Sequence, residues 1–211
     1  MKTFEIITET DARVLALGET VTLARGGHIT PLAQDTLKER RITVVRDGQA
    51  SADEATLAPR SDIRSLAIAS DHTGIKLRRL LTTFLRGRGL AVQDLGTEGP
   101  ELVDYPDVAA SVARVVARGE ADAGIVIDGA GIGSAIAANK IRGVRAVMAN
   151  TETIARYSRE HNGANVLTLG ATLLSADEAK NIVTTWLTTP MREPRYIRRL
   201  AKIRDLERSE G

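Results

Sequence analysis

From Ser65 onward the chain alternates short apolar runs with longer amphipathic ones. That alternation limits the folds open to it more than any other feature. The apolar runs are "SLAIAS", "LAVQDLG", "AGIVID", "VRAVMA" and "NVLTLG". Short runs that are mostly apolar throughout suit strands of a parallel sheet buried on both faces. After each comes a helical stretch: "TGIKLRRLLTTFLRGRG", "YPDVAASVARVVARGEA", "GIGSAIAANK", "TETIARYSREHN" and "SADEAKNIVTTWLTT". The first places Ile75, Leu77, Leu80, Leu81, Phe84 and Leu85 at helical spacing, and the second has Pro106 in its first turn. Five strands, each followed by a helix, predict an α/β fold in three layers around a five-stranded parallel sheet. The closing "PRYIRRLAKIRDLERSEG" predicts one more helix, with Ile197, Leu200, Ile203 and Leu206 along one side.

Residues 1–47 carry a smaller pattern. In "TETD" Thr8 reads as a helix cap with an acid three residues on. Thr30 reads as a second cap, with Pro31 at the first helical position and a helix to about Arg40, followed by a strand from Ile42 to Arg46. This predicts a small α+β appendage, an accessory or docking module. Asp47 to Asp62 is polar, small and unpatterned, so 48–62 reads as a linker and 63–211 as the main domain.

Composition removes several classes of function. With no cysteine, disulfides, thiolate nucleophiles and Cys-ligated metals are excluded. Aromatic residues make up 3% of the chain, too few for a base-stacking nucleic-acid surface. The net charge of +2 suggests no polyanionic partner. No apolar run reaches membrane-spanning length, and the first residues lack a signal-peptide core. The expectation is a cytoplasmic protein without nucleic-acid or membrane partners.

Ligands of open parallel sheets bind beyond the carboxyl ends of the strands. Those ends here carry Asp71, His72 and Gly74; Asp94, Asp104 and Tyr105; Asp128 with Gly129, Gly131 and Gly133; and Asn150. Polar, titratable groups converging where strand bodies are apolar mark a candidate active site. Asp71 and Asp128 can also be plain helix caps. "GAGIGS", with Glu152 about twenty residues on, approximates a dinucleotide fingerprint, which would make the chain an NAD-type oxidoreductase. That fingerprint belongs to the first strand of such a fold, and here it follows the third. His28 reads as a surface histidine, and the basic tail as a solvated helix face.

The segments "IASDHTGIKLRRLL", "DLGT", "VDYPD", "GEADAGIVIDGAGIGSAIAANKIRGVRA" and "SREHNGANVLTLGA" resemble ribose-5-phosphate isomerase B and the related galactose-6-phosphate isomerase subunits, over about residues 64–204. The resemblance implies a Rossmann-like sheet and a homodimer or dimer of dimers. It implies no metal or other cofactor, and aldose–ketose isomerisation of a sugar phosphate at a site on the dimer interface. Residue by residue, it implies that Asp71 and His72 contact the sugar and its phosphate, and that Tyr105 is the family's Asp-Tyr-Pro tyrosine. The amides of Gly129 to Gly133 would hold the enediolate oxygens. His161 would help open the sugar ring, acting with Asn162 across the interface, and Arg195 and Arg199 would bind phosphate.

The departures fall inside the site. The family's usual cysteine base is Asp128 here, and the glutamate base of another branch is Ser134. A hydroxyl residue of the loop is Ala130, an arginine after the fifth strand is Thr172, and a histidine beside the first tail arginine is Tyr196. Asp128 is therefore the expected base, with Asp71 next in line, and the sugar phosphate can differ from ribose 5-phosphate. A non-catalytic sugar-phosphate sensor is the other alternative. The N-terminal segment resembles the leading segment of ethanolamine-utilisation corrinoid adenosyltransferases, which implies bacterial microcompartment partners through residues 1–47.

Overall fold

The structure is a computed structural model and describes residues 2–46, 57–99 and 102–209. The chain divides into two compact units, Met1–Thr56 and Leu57–Gly211. Of the expected linker, residues 47–56 lie outside the described residues. Residues 57–62 belong to the second unit.

The first unit is β1 (Thr3–Ile7), α1 (Glu9–Val14), β2 (Thr20–Ile29), α2 (Pro31–Glu39) and β3 (Thr43–Arg46). Both expected caps are present. Thr8 and Asp11 form a reciprocal capping box, and the Thr30 hydroxyl accepts from the Ala33 amide at 3.4 Å, with Pro31 opening the helix. The three strands are all parallel, in the order β1-β2-β3. The appendage is thus a small parallel β-α-β-α-β unit, more regular than the α+β arrangement expected. Its long middle strand is hard to read because residues 25–27 bulge out of it. The register jumps from Phe4 beside Leu23 to Ile6 beside His28. Gly26 takes φ +81°, and a Cβ on Gly27 would lie 2.5 Å from the Glu5 carbonyl oxygen, so the bulge needs both glycines. Ile7, Leu15, Val21, Leu23, Leu37 and Ile42 form the unit's own core.

The second unit contains the expected five-stranded sheet, all parallel, in the order β5-β4-β6-β8-β7. Its elements in chain order are β4 (Ser65–Ser70), α3 (Ile75–Gly87), β5 (Ala91–Asp94), α4 (Tyr105–Ala117), β6 (Ala123–Asp128), α5 (Ile132–Ala138), β7 (Ala146–Met148), α6 (Glu152–Glu160), β8 (Val166–Gly170), α7 (Ala176–Thr188) and α8 (Pro194–Ser209).

Period-two alternation divides the strand residues between two cores. Leu66, Ile68, Ile125, Ile127, Leu167 and Leu169 pack with Leu81 and Leu85 of α3 and Ile182, Val183 and Trp186 of α7. Ala67, Ala69 and Val126 pack with Val108, Val112 and Val116 of α4 and Ala138 of α5. The second face carries small residues, so α4 comes close. A Cβ on Gly124 would lie 2.5 Å from Val112 Cγ1. Burial on both faces explains why β4, β6 and β8 read as nearly continuous apolar runs. No helix among the described residues is long and apolar enough to cross a membrane.

On α8 the expected apolar stripe is buried only in part. Leu200 is covered, whereas Ile203 and Leu206 remain 41% and 62% exposed. Tyr196 and Ala201 complete the covered side instead.

Candidate active site

The chain leaves β4 in one direction to form β5, then returns past β4 to form β6. The two crossovers diverge between β4 and β6, which opens a crevice above their carboxyl ends. Asp71 follows β4 directly and Asp128 ends β6. The Asp71 amide donates to the Ile127 carbonyl at 3.1 Å, so the two carboxylates share one rim.

Asp128 is 5% exposed and both its oxygens are engaged. Oδ1 accepts from the Ala130 amide at 2.8 Å and from the Gly131 amide. Oδ2 accepts from the Ser134 amide at 3.0 Å and from the Ser134 hydroxyl. A carboxylate offers about four lone-pair sites, and this one has four donors. The glycine turn therefore closes on the aspartate that precedes it. Its carbonyls face the other way: Thr168 Oγ1 donates to Gly131 O and Thr172 Oγ1 to Gly129 O, each at 2.6 Å. Gly131 takes φ +78°, and a Cβ there would lie 2.9 Å from the Leu169 carbonyl carbon. Among the described residues the amides of Ile132 and Gly133, at the first turn of α5, stay unpaired, as helix starts require. The Tyr105 ring lies against Gly133, where a Cβ would come 2.5 Å from Tyr105 Cε2.

Asp71 is bonded differently. Oδ1 alone accepts from the Thr73 amide (2.9 Å), the Thr73 hydroxyl (2.5 Å) and the Gly74 amide (3.2 Å), and Oδ2 takes none of these bonds. Asp71 is 6% exposed and starts the turn into α3, while His72 beside it is exposed. The crevice thus gathers Asp71, His72, Tyr105, Asp128 and the Gly129, Gly131 and Gly133 loop.

Asp94 is an ion-pair partner. It meets Nε of the fully buried Arg78 at 3.1 Å. The same guanidinium donates to Thr97 O at 2.8 Å and Ser70 Oγ at 3.2 Å, and it pairs with Glu98 at 3.0 Å. Gly96 gives it room, since a Cβ there would lie 1.6 Å from Nη1. Arg78 fixes the turn that leads toward Tyr105. An arginine within the apolar spacing of α3 was its only trace in the sequence.

The remaining predicted residues gather elsewhere. His161 caps the C-terminus of α6, ahead of β8, and so lies at the amino edge of the sheet. Its ring stacks on Tyr157 (centroids 4.7 Å, 17° between planes) and meets Tyr196 (4.7 Å, 38°). Asn162 Nδ2 donates to Tyr157 O at 3.1 Å. Arg195 and Arg199 both lie over the Tyr196 ring, at 4.8 and 5.6 Å from its centroid. Five residues of β8, about 15 Å of strand, separate this cluster from the crevice. Tyr157, which holds His161 from one side, carried no signal in the sequence beyond its spacing.

The family model described as Ribose/Galactose Isomerase matches residues 66–203. Ribose-5-phosphate isomerase B of Escherichia coli (strain K12) is 40% identical over 145 residues, which is 69% of this chain and 97% of that protein. Among solved structures, ribose-5-phosphate isomerase B of Clostridium thermocellum is 46% identical with a TM-score of 0.68, covering 70% of this chain and 99% of that one. The Mycoplasma genitalium enzyme, solved with bound ribulose-5-phosphate, is 37% identical with a TM-score of 0.66, covering 68% and 96%. The chain belongs to the ribose/galactose isomerase family and is an enzyme of the isomerase class.

Proposed function

We propose that the chain interconverts the aldose and ketose forms of a phosphorylated sugar, ribose 5-phosphate and ribulose 5-phosphate or a related pair. The crevice between β4 and β6 carries this reading. It places two carboxylates, a tyrosine and two unpaired helix-start amides on one rim. Isomerisation needs a base that takes a proton from C2 of the aldose and returns it to C1. It also needs donors for the oxyanion that forms between the two steps. The Ile132 and Gly133 amides are such donors.

The geometry divides the two carboxylates. Asp128, expected from its position to be the base, spends all four lone-pair sites on its own loop, and to accept a substrate proton it must release a donor. Asp71 keeps Oδ2 outside its internal bonds. The reading we favour gives Asp128 the task of shaping the loop and Asp71 the proton transfer. The same bonds weigh against dinucleotide binding, because the Ala130 and Gly131 amides that would face a pyrophosphate are already taken by Asp128.

His161, Asn162, Arg195 and Arg199 enter the reaction through a second copy of the chain. In a homodimer or dimer of dimers, one subunit's amino-edge cluster closes the partner's crevice, with the arginines on the phosphate and His161 at the ring oxygen. The N-terminal unit, which has its own core, acts as a docking module for microcompartment partners. The isomerase reading is tested by offering a panel of sugar phosphates and following aldose–ketose conversion. Binding without turnover of any member of the panel would leave only a sensor.

A further inference from the structure

Beneath the loop that carries His161 and Asn162 lie two arginines that the chemistry above does not use. Arg159 is 1% exposed. Its Nη1 donates to Ala164 O at 2.8 Å, its Nη2 to Arg60 O at 2.7 Å, and its guanidinium lies 5.0 Å from the centre of the Trp186 ring. Arg145, half-buried, donates from Nε to Gly163 O at 2.8 Å and from Nη2 to Leu57 O at 3.2 Å. Among the described residues neither guanidinium has a carboxylate at ion-pair distance. Burial lowers the pKa of both. Arg159 falls to about 10, first through burial and then through the charge of Arg145. A fully buried cation beside a half-buried one, both with carbonyl partners, is a costly way to fill space, and apolar side chains would fill it more favourably. The bonds they make give the reason. Each guanidinium spans the same two segments, the 161–164 loop on one side and residues 57–60 on the other.

Those two segments also lie close together. Gly163 has φ +57°, and a Cβ there would lie 2.7 Å from Leu200 Cδ1 and 3.2 Å from Pro59 Cδ. Arg60 is anchored in turn, to Asp122 at 3.3 Å. The family match spans residues 66–203, so the two arginines and the loop lie within it and residues 57–60 lie outside it.

We propose that Arg145 and Arg159 are positioning residues of the isomerase, holding the His161–Asn162 loop in its working shape by bracing it against residues 57–60 of the same chain. The proposal rests on the reading that His161 and Asn162 serve the partner's crevice. Lysine keeps the charge of Arg159, but a single ammonium cannot span Ala164 O and Arg60 O as the planar fork does.

The test uses the full chain and its three histidines, His28, His72 and His161, whose ring protons are resolved by NMR and assigned by single substitutions. Arg159→Lys should move the His161 resonances and leave those of His28 and His72 in place. It should lower kcat between about ten- and a hundredfold, because the loop is misplaced. Inhibition by inorganic phosphate should be unchanged, because Arg195 and Arg199 are intact. Unmoved His161 resonances overturn the proposal, as does wild-type kcat in Arg159→Lys when His161→Ala is inactive. If Arg159→Lys does not fold, Pro59→Gly carries the same test from the brace, and an unmoved His161 there overturns the proposal equally. Full activity in His161→Ala, with its resonances displaced by Arg159→Lys, overturns the functional reading of His161 and leaves the brace standing.

Discussion

Replacing Asp128 by asparagine separates a loop-holding carboxylate from a catalytic one. The wild-type side chain accepts four hydrogen bonds, three from backbone amides and one from the Ser134 hydroxyl. Asparagine has nearly the same shape, but one of its two terminal atoms is an NH2 donor. With its oxygen toward Ala130 and Gly131, the NH2 faces the Ser134 amide, donor against donor. The Ser134 hydroxyl can turn to accept, but the amide cannot. Flipping the side chain moves the mismatch to the Ala130 and Gly131 amides. At least one buried N–H loses its acceptor, and the remaining bonds lose their charge assistance. An unsatisfied buried group costs about 1–3 kcal/mol and each charged bond is worth about 1.5–3 kcal/mol, so a net loss of about 2–4 kcal/mol is expected. Trp186 is the chain's sole tryptophan and is fully buried in the second unit, so its fluorescence during urea unfolding reports that unit alone. A midpoint lowered in proportion, with an unchanged slope, is the expected result. An Asp128→Asn protein within about 0.5 kcal/mol of wild type, yet devoid of turnover, would refute the reasoning and restore Asp128 as the base.

Arg195→Ala and Arg199→Ala should each raise KM for the sugar phosphate while leaving the urea midpoint within experimental scatter, since both lie over Tyr196 on the surface of α8; unchanged KM in both would misplace the phosphate. Mixing inactive Asp71→Asn with inactive His161→Ala subunits should restore part of the activity, because one site of the mixed dimer keeps both groups; no recovery after verified subunit exchange would argue for a site within one chain. Burial alone would raise the Asp122 carboxyl, but bonds from the Arg64 and Ser65 amides and the Ser65 hydroxyl, with the charge of Arg60, hold it below its ordinary value. Its stabilisation is therefore present above the unfolded carboxyl value of about 3.9 and is lost as pH falls through the lower folded value. Asp122→Asn should cost about 1–2 kcal/mol at pH 7, and urea midpoints should show that gap narrowing below pH about 4.

The sheet of the second unit was legible because its inner strands β4, β6 and β8 are covered on both faces, while β5 at the edge is partly exposed. Apolar spacing and a proline at a helix start then agree with one another, as in Tyr105–Ala117. The strand–helix alternation of the first unit was legible only in part: both helices and β3 were read, β1 and β2 were not. Its middle strand is broken by the bulge at residues 25–27, and a chain containing "ARGGH" does not read as a strand. Asp128 could be located from the sequence, but its role could not. Whether a carboxylate beside a glycine turn faces a substrate or the turn's own amides depends on a few torsion angles that no residue pattern reports. The apolar stripe of α8 was half right, since Ile203 and Leu206 stay exposed on the single chain. Arg145 and Arg159 escaped notice because their partners are backbone carbonyls, which have no letter in a sequence.

The most direct test of the account is proton exchange in deuterated water with the panel of sugar phosphates. Wild-type protein should incorporate deuterium at C2 of one aldose phosphate as it interconverts with its ketose. Asp71→Asn should slow that incorporation by roughly a hundred- to ten-thousandfold, the loss typical of a removed general base. Asp128→Asn should keep measurable exchange in whatever fraction remains folded. Exchange abolished by Asp128→Asn and retained by Asp71→Asn would contradict the division of labour proposed for the two carboxylates. Absence of exchange with every sugar phosphate offered to wild-type protein would contradict the isomerase itself.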